Sequence, residues 1–182
     1  MTVEEFLNWA ASQPDGGFEL VDGQIVAMVQ ERALHNLAKL AVARALQDAV
    51  AAAGLECTVY TDGMTVRIDR HTARGPDALV QCGKPVDLAS MEADNPIIVI
   101  EVVSPTSERR DTDAKLIEYF SVESIQHYLI FFPHKGVAVH HARAGNDRIH
   151  TKLIHSGMIE LIPPGMSLPV AEILEIGREL RA

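Results

Sequence analysis

Residues 97–103 read IIVIEVV, a run of branched aliphatic side chains interrupted by one carboxylate, Glu101. Side chains of a strand alternate between faces, so a run that is apolar at consecutive positions is a strand buried on both sides of a sheet. An ionised carboxylate there is costly unless a cation, a proton or hydrogen-bond donors meet it. Ser104-Pro105 stops the strand, and a polar stretch leads into a helix carrying Lys115, Leu116, Tyr119 and Phe120. Lys115 and Tyr119 are four apart, as are Leu116 and Phe120, which gives the helix an apolar stripe with Lys115 at its edge. The arrangement is a buried strand acid followed by a helix that can return a lysine towards it. Two ordinary explanations compete: Glu101 satisfied by backbone amides or by an arginine such as Arg109, and Lys115 paired with Asp111 on an exposed helix face, worth only about 0.3–0.5 kcal/mol.

A second acid opens another apolar strand, Pro76 to Cys82, in the segment Pro76-Asp77-Ala78-Leu79-Val80. A loop from Lys84 to Asn95 joins the two strands, and neighbouring strands would bring Asp77 and Glu101 to one point. Hard oxygen ligands on rigid strands suit magnesium or manganese, which take one or two protein carboxylates and keep several waters.

Around these strands the chain reads as a mixed α and β protein. Thr2 and Glu5 have capping-box spacing and open a short helix through about Ala11, which Pro14-Asp15-Gly16-Gly17 breaks. FELV-DG-QIVAM predicts a hairpin about Asp22-Gly23, with Glu19 on its first strand facing away from Phe18 and Leu20. Glu31 to Ala53 is a long helix stopped by Gly54, and its stripe from Leu34 to Leu46 is broad enough to cover one face of a sheet. His35 stands beside that stripe, where a lone histidine is more often a packing or surface residue. Leu55 to Tyr60 and Met64 to Ile68 read as strands. Arg67, Arg70, His71 and Arg74 form the one basic patch, a solvated hairpin end or a place where arginine forks meet phosphate. Further strands follow at Gln126 to Phe132, Gly136 to Ala142, Arg148 to Ile154 and Ile159 to Ile162, and a helix from Val170 to Leu180 closes the chain. His140 and His141 are adjacent and so face opposite ways.

Length and charge narrow the function. A chain of 182 residues, 47% hydrophobic and 23% charged, suits one domain with a sizeable core. No segment approaches a membrane span and the first residues lack a signal core, so a cytoplasmic protein is expected. Cys57 and Cys82 have no metal-ligand spacing and are expected as reduced core thiols. The net charge of −9 fails the usual test for a nucleic-acid binder, so such a substrate would need a local basic surface or a bound metal.

Taken together, PD at Pro76-Asp77, IEVVSPTS at Ile100 to Ser107, DTDAKLIEYF at Asp111 to Phe120 and HYLIFFP at His127 to Pro133 resemble the Uma-two family of restriction-endonuclease-like proteins. FELVDGQIV at Phe18 to Val26 is similar to that family's opening hairpin, and the resemblance runs in order from about Phe18 to Gly145. It implies the fold of the PD-(D/E)xK nuclease superfamily, an α/β (α+β) mixed sheet flanked by helices, here with an N-terminal hairpin and a long helix. It also implies a metal-dependent endonuclease. Asp77 and Glu101 would be the metal acids for magnesium or manganese, Lys115 the catalytic lysine and Glu19 a further acidic site residue. Nucleic acid, DNA before RNA, would be the substrate, with Arg67, Arg70, Arg74 and His35 as candidate contacts; a homodimer stays open. In the wider superfamily the lysine stands two residues after the second acid, where this chain has Val103; here it would come from the following helix. Phe132 stands where an acid is common. Two other classes remain: a nuclease-like fold that binds or assembles without cutting, and a phosphodiesterase for a smaller phosphoester.

Overall fold

The computed structural model describes residues 1–13, 17–28, 30–103, 112–145 and 148–179. In chain order its elements are α1 (Val3–Ala10), β1 (Phe18–Val21), β2 (Gln24–Ala27), α2 (Ala33–Ala52), β3 (Cys57–Thr61), β4 (Val66–Arg67), β5 (Ala73–Arg74) and β6 (Ala78–Cys82). They continue with β7 (Pro96–Val102), α3 (Thr112–Ser121), β8 (His127–Phe132), β9 (Val137–Arg143), β10 (Ile149–Ile154), β11 (Met158–Leu161), β12 (Met166–Pro169) and α4 (Ala171–Glu179).

The main sheet has six strands in the order β10-β9-β8-β7-β6-β3. Strands β7 and β8 are parallel, joined through α3, and the other neighbours are antiparallel. Strand β7 lies in the middle and is buried on both faces, as its composition requires. Ile98, Ile100 and Val102 pack on one side with Ala38, Val42 and Leu46 of α2 and Ile173 of α4. Val99 and Val103 pack on the other with Tyr119 and Phe120 of α3 and Tyr128 of β8. Each large aliphatic side chain buried this way contributes roughly 1.5–3 kcal/mol, so the two apolar layers, not surface ion pairs, hold the sheet. Period-two alternation puts Glu101 on the face of Val99 and Val103, the one that α3 covers.

A second sheet, β2-β1-β5-β4, carries the hairpin. Asp22 and Gly23 turn it with φ of 49° and 77°, the left-handed pair that an Asp-Gly turn supplies. Helix α1 packs Val3 and Phe6 on Leu20 and Ala73, and its Thr2–Glu5 capping box is formed in both directions. β5 pairs with β1 at Leu20↔Ala73, which brings Arg74 beside Glu19.

One sequence expectation is corrected and two strands are added. Cys57 and Cys82 are not reduced thiols but a disulfide, because β3 and β6 pair in a register that sets them directly opposite one another. The strands at β5 and β12 were not foreseen; they are short and are defined by their partners β1 and β11. The breaks at residues 14–16, the partners Arg109 and Asp111, the Ser104-Pro105 strand stop and the turn residues 146–147 lie outside the described residues. No helix among the described residues is long and apolar enough to cross a membrane.

Candidate active site

Asp77 immediately precedes β6, whose ladder with β7 ends at Ala78↔Ile100. Its side chain continues the pairing: Asp77 Oδ2 accepts the Val102 amide at 2.6 Å. Asp77 is therefore tied to the backbone next to Glu101. From the α3 side, Lys115 Nζ donates to Glu101 Oε1 at 2.8 Å, and the Tyr119 hydroxyl donates to the same oxygen at 2.8 Å. Lys115 also lies 3.2 Å from Glu19 Oε1, so one ammonium bridges the hairpin acid and the central-strand acid. Asp77, Glu101, Lys115 and Glu19 are thus connected through one run of contacts, and Lys115 points inward.

A buried arginine holds Glu19. Arg74 is 3% exposed, gives both prongs of its fork to Glu118 at 2.7 and 2.9 Å, and gives a third bond to Glu19 at 3.0 Å. The Gly75 amide adds a bond to Glu19 Oε1. Arg67 pairs with Glu92 and Glu4. The sequence patch is therefore not a free basic surface at Arg67 and Arg74, since acids distant in sequence neutralise both. Arg70 is exposed.

On the other side of Asp77 lies a second cluster, presented by α2. Lys39 Nζ sits among Glu31, Asp62 and Asp77, 3.3 Å from Asp77 Oδ1. His35, one turn earlier on the same helix face, places Nε2 at 3.5 Å from Asp77 Oδ2 and 3.7 Å from Glu31. That nitrogen is buried and makes no hydrogen bond among the described residues. A cleft of about 740 Å³ opens against this cluster, with Glu31, Lys39 and Asp62 on its polar wall and Phe6, Phe18 and Met91 on its apolar one.

The two central carboxyls are driven apart. Burial pushes the Glu101 carboxyl above its ordinary range, and the nearby Asp77 and Glu19 charges add to this while Lys115 opposes it. Burial also works against ionised Asp77, but His35, the Val102 amide and Lys39 outweigh it and hold that carboxyl below its ordinary value. Lys115 is raised, because Glu101 and Glu19 overcome the burial that disfavours an ammonium. Burial, reinforced by Glu101, lifts the Tyr119 phenol well above its usual value.

A profile of the family described as Uma2, putative restriction endonuclease, matches residues 3–172. The chain belongs to the Uma2 family. The crystal structure of a putative nuclease belonging to DUF820 from Anabaena variabilis superposes on this Uma2 chain with a TM-score of 0.71 at 12% identity, over 97% of this chain and 98% of that one. The likeness shows that the fold is shared. No curated protein matches the sequence.

Sequence reasoning missed several groups that this Uma2 site contains. Tyr119 was read only as part of an apolar stripe, although its spacing of four from Lys115 already put both on one face. His35 was named as a candidate contact, but Glu31 and Lys39, four residues to either side of it, were not, although that ladder could have marked the second cluster. Nothing local marks Glu118 or Asp62 as partners of Arg74 and Lys39.

Proposed function

We propose that this chain is a metal-dependent nuclease that hydrolyses phosphodiester bonds of nucleic acid by direct attack of water. The observation that carries the reading is the convergence of Lys115 and Tyr119 on Glu101, beside the Asp77 carboxylate fixed to the Val102 amide. A structural core has no need of this arrangement, because two or three acids on buried strands cost more than apolar residues of the same volume.

The donor set fits magnesium or manganese: Asp77 and Glu101 offer hard oxygens from rigid strands, with ammonium groups of Lys39 and Lys115 drawn to them. When bound there, the ion supplies a Lewis acid for the phosphate and lowers the pKa of a water. The protein's own groups do the rest. Lys115, kept protonated by two carboxylates, offers a positive charge to the negative phosphorane oxygens or to the attacking hydroxide. Tyr119 and Lys115 fix the orientation of Glu101. Glu19 holds Lys115 in place and is itself clamped by Arg74. Among the described residues, no side chain in the site is set up as a covalent nucleophile, which favours water over a protein-bound intermediate. Arg70 is the cation of the sequence patch that remains placed to meet a phosphate.

The rival is a nuclease-like module that binds without cutting. It is favoured by the net charge of −9 and by the ion pairing of Arg67 and Arg74. Incubating single- and double-stranded DNA and RNA with the protein and magnesium or manganese separates the two. Cleavage by the natural protein that is lost in Asp77→Asn and Glu101→Gln is the expected result. Binding of any of these substrates with no metal-dependent cleavage would favour the rival, and equal cleavage by the Glu101→Gln protein would overturn the assignment.

A further inference from the structure

We propose that Glu31, His35 and Asp77 form a divalent-cation site with one nitrogen donor, selective for manganese and similar transition dications over magnesium. It shares Asp77 with the nuclease reading and rests on that reading only for the idea that this carboxylate holds a metal.

Three features of the cluster carry the inference. The His35 Nε2, Asp77 and Glu31 ligand atoms all lie within 4.8 Å of one another. Donors about 2.1–2.2 Å from one ion are separated by roughly 3 Å when adjacent and just over 4 Å when opposite, so small side-chain adjustments suffice. The His35 Nε2 atom is buried, makes no hydrogen bond among the described residues, and faces the carboxylates of Asp77 at 3.5 Å and Glu31 at 3.7 Å. Both carboxylates face this nitrogen without a hydrogen bond to it, and a cation that accepts the imidazole lone pair would give the nitrogen a partner while meeting both acids. Finally, an ammonium already occupies this region: Lys39 Nζ contacts the same Glu31 oxygen that faces His35, and Asp77 as well. Lys39 is a cation in the place where the acids require one. Its flexible stem and its other partner, the half-exposed Asp62, give it somewhere to go when a stronger cation arrives. The cleft lined by Glu31, Lys39 and Asp62 supplies the route in.

The donor chemistry sets the selectivity. Magnesium prefers oxygen and holds its waters, whereas first-row transition dications accept imidazole with rising affinity along the series that begins at manganese. The nitrogen from α2 is therefore the element that distinguishes the two ions at a site otherwise built of carboxylates. Glu31 precedes the helix and His35 lies in its first turns, so α2 delivers both ligands from one end to the acid of β6.

Manganese binding to the tag-free protein, followed by electron paramagnetic resonance with magnesium as competitor, tests this without any cleavage. The expected result is manganese bound at least about tenfold more tightly than magnesium, with nitrogen modulation in the spin-echo signal. His35→Ala and His35→Gln should both abolish the nitrogen modulation and weaken manganese by about tenfold while leaving magnesium within about twofold; circular dichroism and thermal melts of both variants confirm folding. Nitrogen modulation that persists in both folded variants, or manganese affinity unchanged in both, overturns the proposal even if cleavage is observed. No binding of manganese by the natural protein also overturns it. The nuclease reading stands or falls separately, on the cleavage lost with Glu101→Gln.

Discussion

His127 and His140 form a buried pair whose response to pH follows from its hydrogen bonds. His127 Nε2 donates to the Pro163 carbonyl at 2.8 Å, which leaves its Nδ1 as an acceptor; His140 Nε2 donates to that atom at 2.9 Å. Their lowered pKa values favour neutral rings at pH 7, and in that state a proton added to His127 Nδ1 would face the N–H of His140. Burial, with the neighbouring His127, Lys152 and His141, lowers His140 from 6.5 to about 4, and burial lowers His127 as well. A histidine depressed in the folded state stabilises the fold above its unfolded pKa and loses that contribution as pH falls towards the folded value. At about 1.4 kcal/mol per pKa unit, His140 alone accounts for about 3 kcal/mol by pH 4 and about 2 kcal/mol at pH 5. The assay is urea unfolding of the natural protein and His140→Gln from pH 7.5 to 4.5. Carboxylate effects common to both cancel in the difference, so the natural protein should lose about 2 kcal/mol relative to the variant on reaching pH 5. A stability difference independent of pH would refute the depressed pKa and the tautomer assignment behind it.

Three other outcomes are expected. Glu101→Gln should be as stable as or more stable than the natural protein at pH 7 without metal, because the raised carboxyl makes ionised Glu101 a cost above the unfolded pKa; the difference in melting temperature should vanish as pH drops below about 4. Tyr119→Phe removes a hydrogen bond to a charged, buried acceptor and should cost about 1.5–3 kcal/mol in chemical denaturation, with Glu101 rising further by carboxyl NMR. Arg74→Ala should destabilise by about 3–5 kcal/mol, since it strands Glu19 and Glu118, and so should lower the unfolding midpoint far more than it changes substrate affinity.

How much of this was legible in the sequence depends on the range over which each signal acts. The central strand, the long helix and the Asp-Gly hairpin were readable because local composition decides them: consecutive branched residues must be buried on both faces, and only a few dipeptides turn left-handed. The positions of Glu101 and Lys115 followed from the same local rules, alternation along β7 and the four-residue spacing on α3. What failed was pairing at a distance. Three arginines and a histidine clustered in sequence at Arg67 to Arg74 looked basic, yet Glu4, Glu92, Glu19 and Glu118 reach Arg67 and Arg74 from other elements. The same blindness hid the disulfide, since the register that brings Cys57 to Cys82 spans 25 residues and is fixed by the sheet.

The charges that could not be paired from sequence now bear on function. Among the described residues, one group of ion pairs joins Lys39 to Glu31, Asp62 and Asp77, with His35 between Glu31 and Asp77, and a second joins Lys115 and Arg74 to Glu101, Glu19 and Glu118; the bond from the Val102 amide to Asp77 links the two. A network that existed only to stabilise the fold would approach neutrality, because every uncompensated buried charge raises the free energy of the folded state. Both groups carry more carboxylates than lysines and arginines. The upward push on the Glu101 carboxyl, caused by burial and by the Asp77 and Glu19 charges, registers part of this excess as a cost in the free protein. A bound dication would relieve that cost while leaving Lys115 and Arg74 in place. Local excess of negative charge on rigid strands is therefore the feature that links the acidity of the chain to the metal chemistry proposed at its centre.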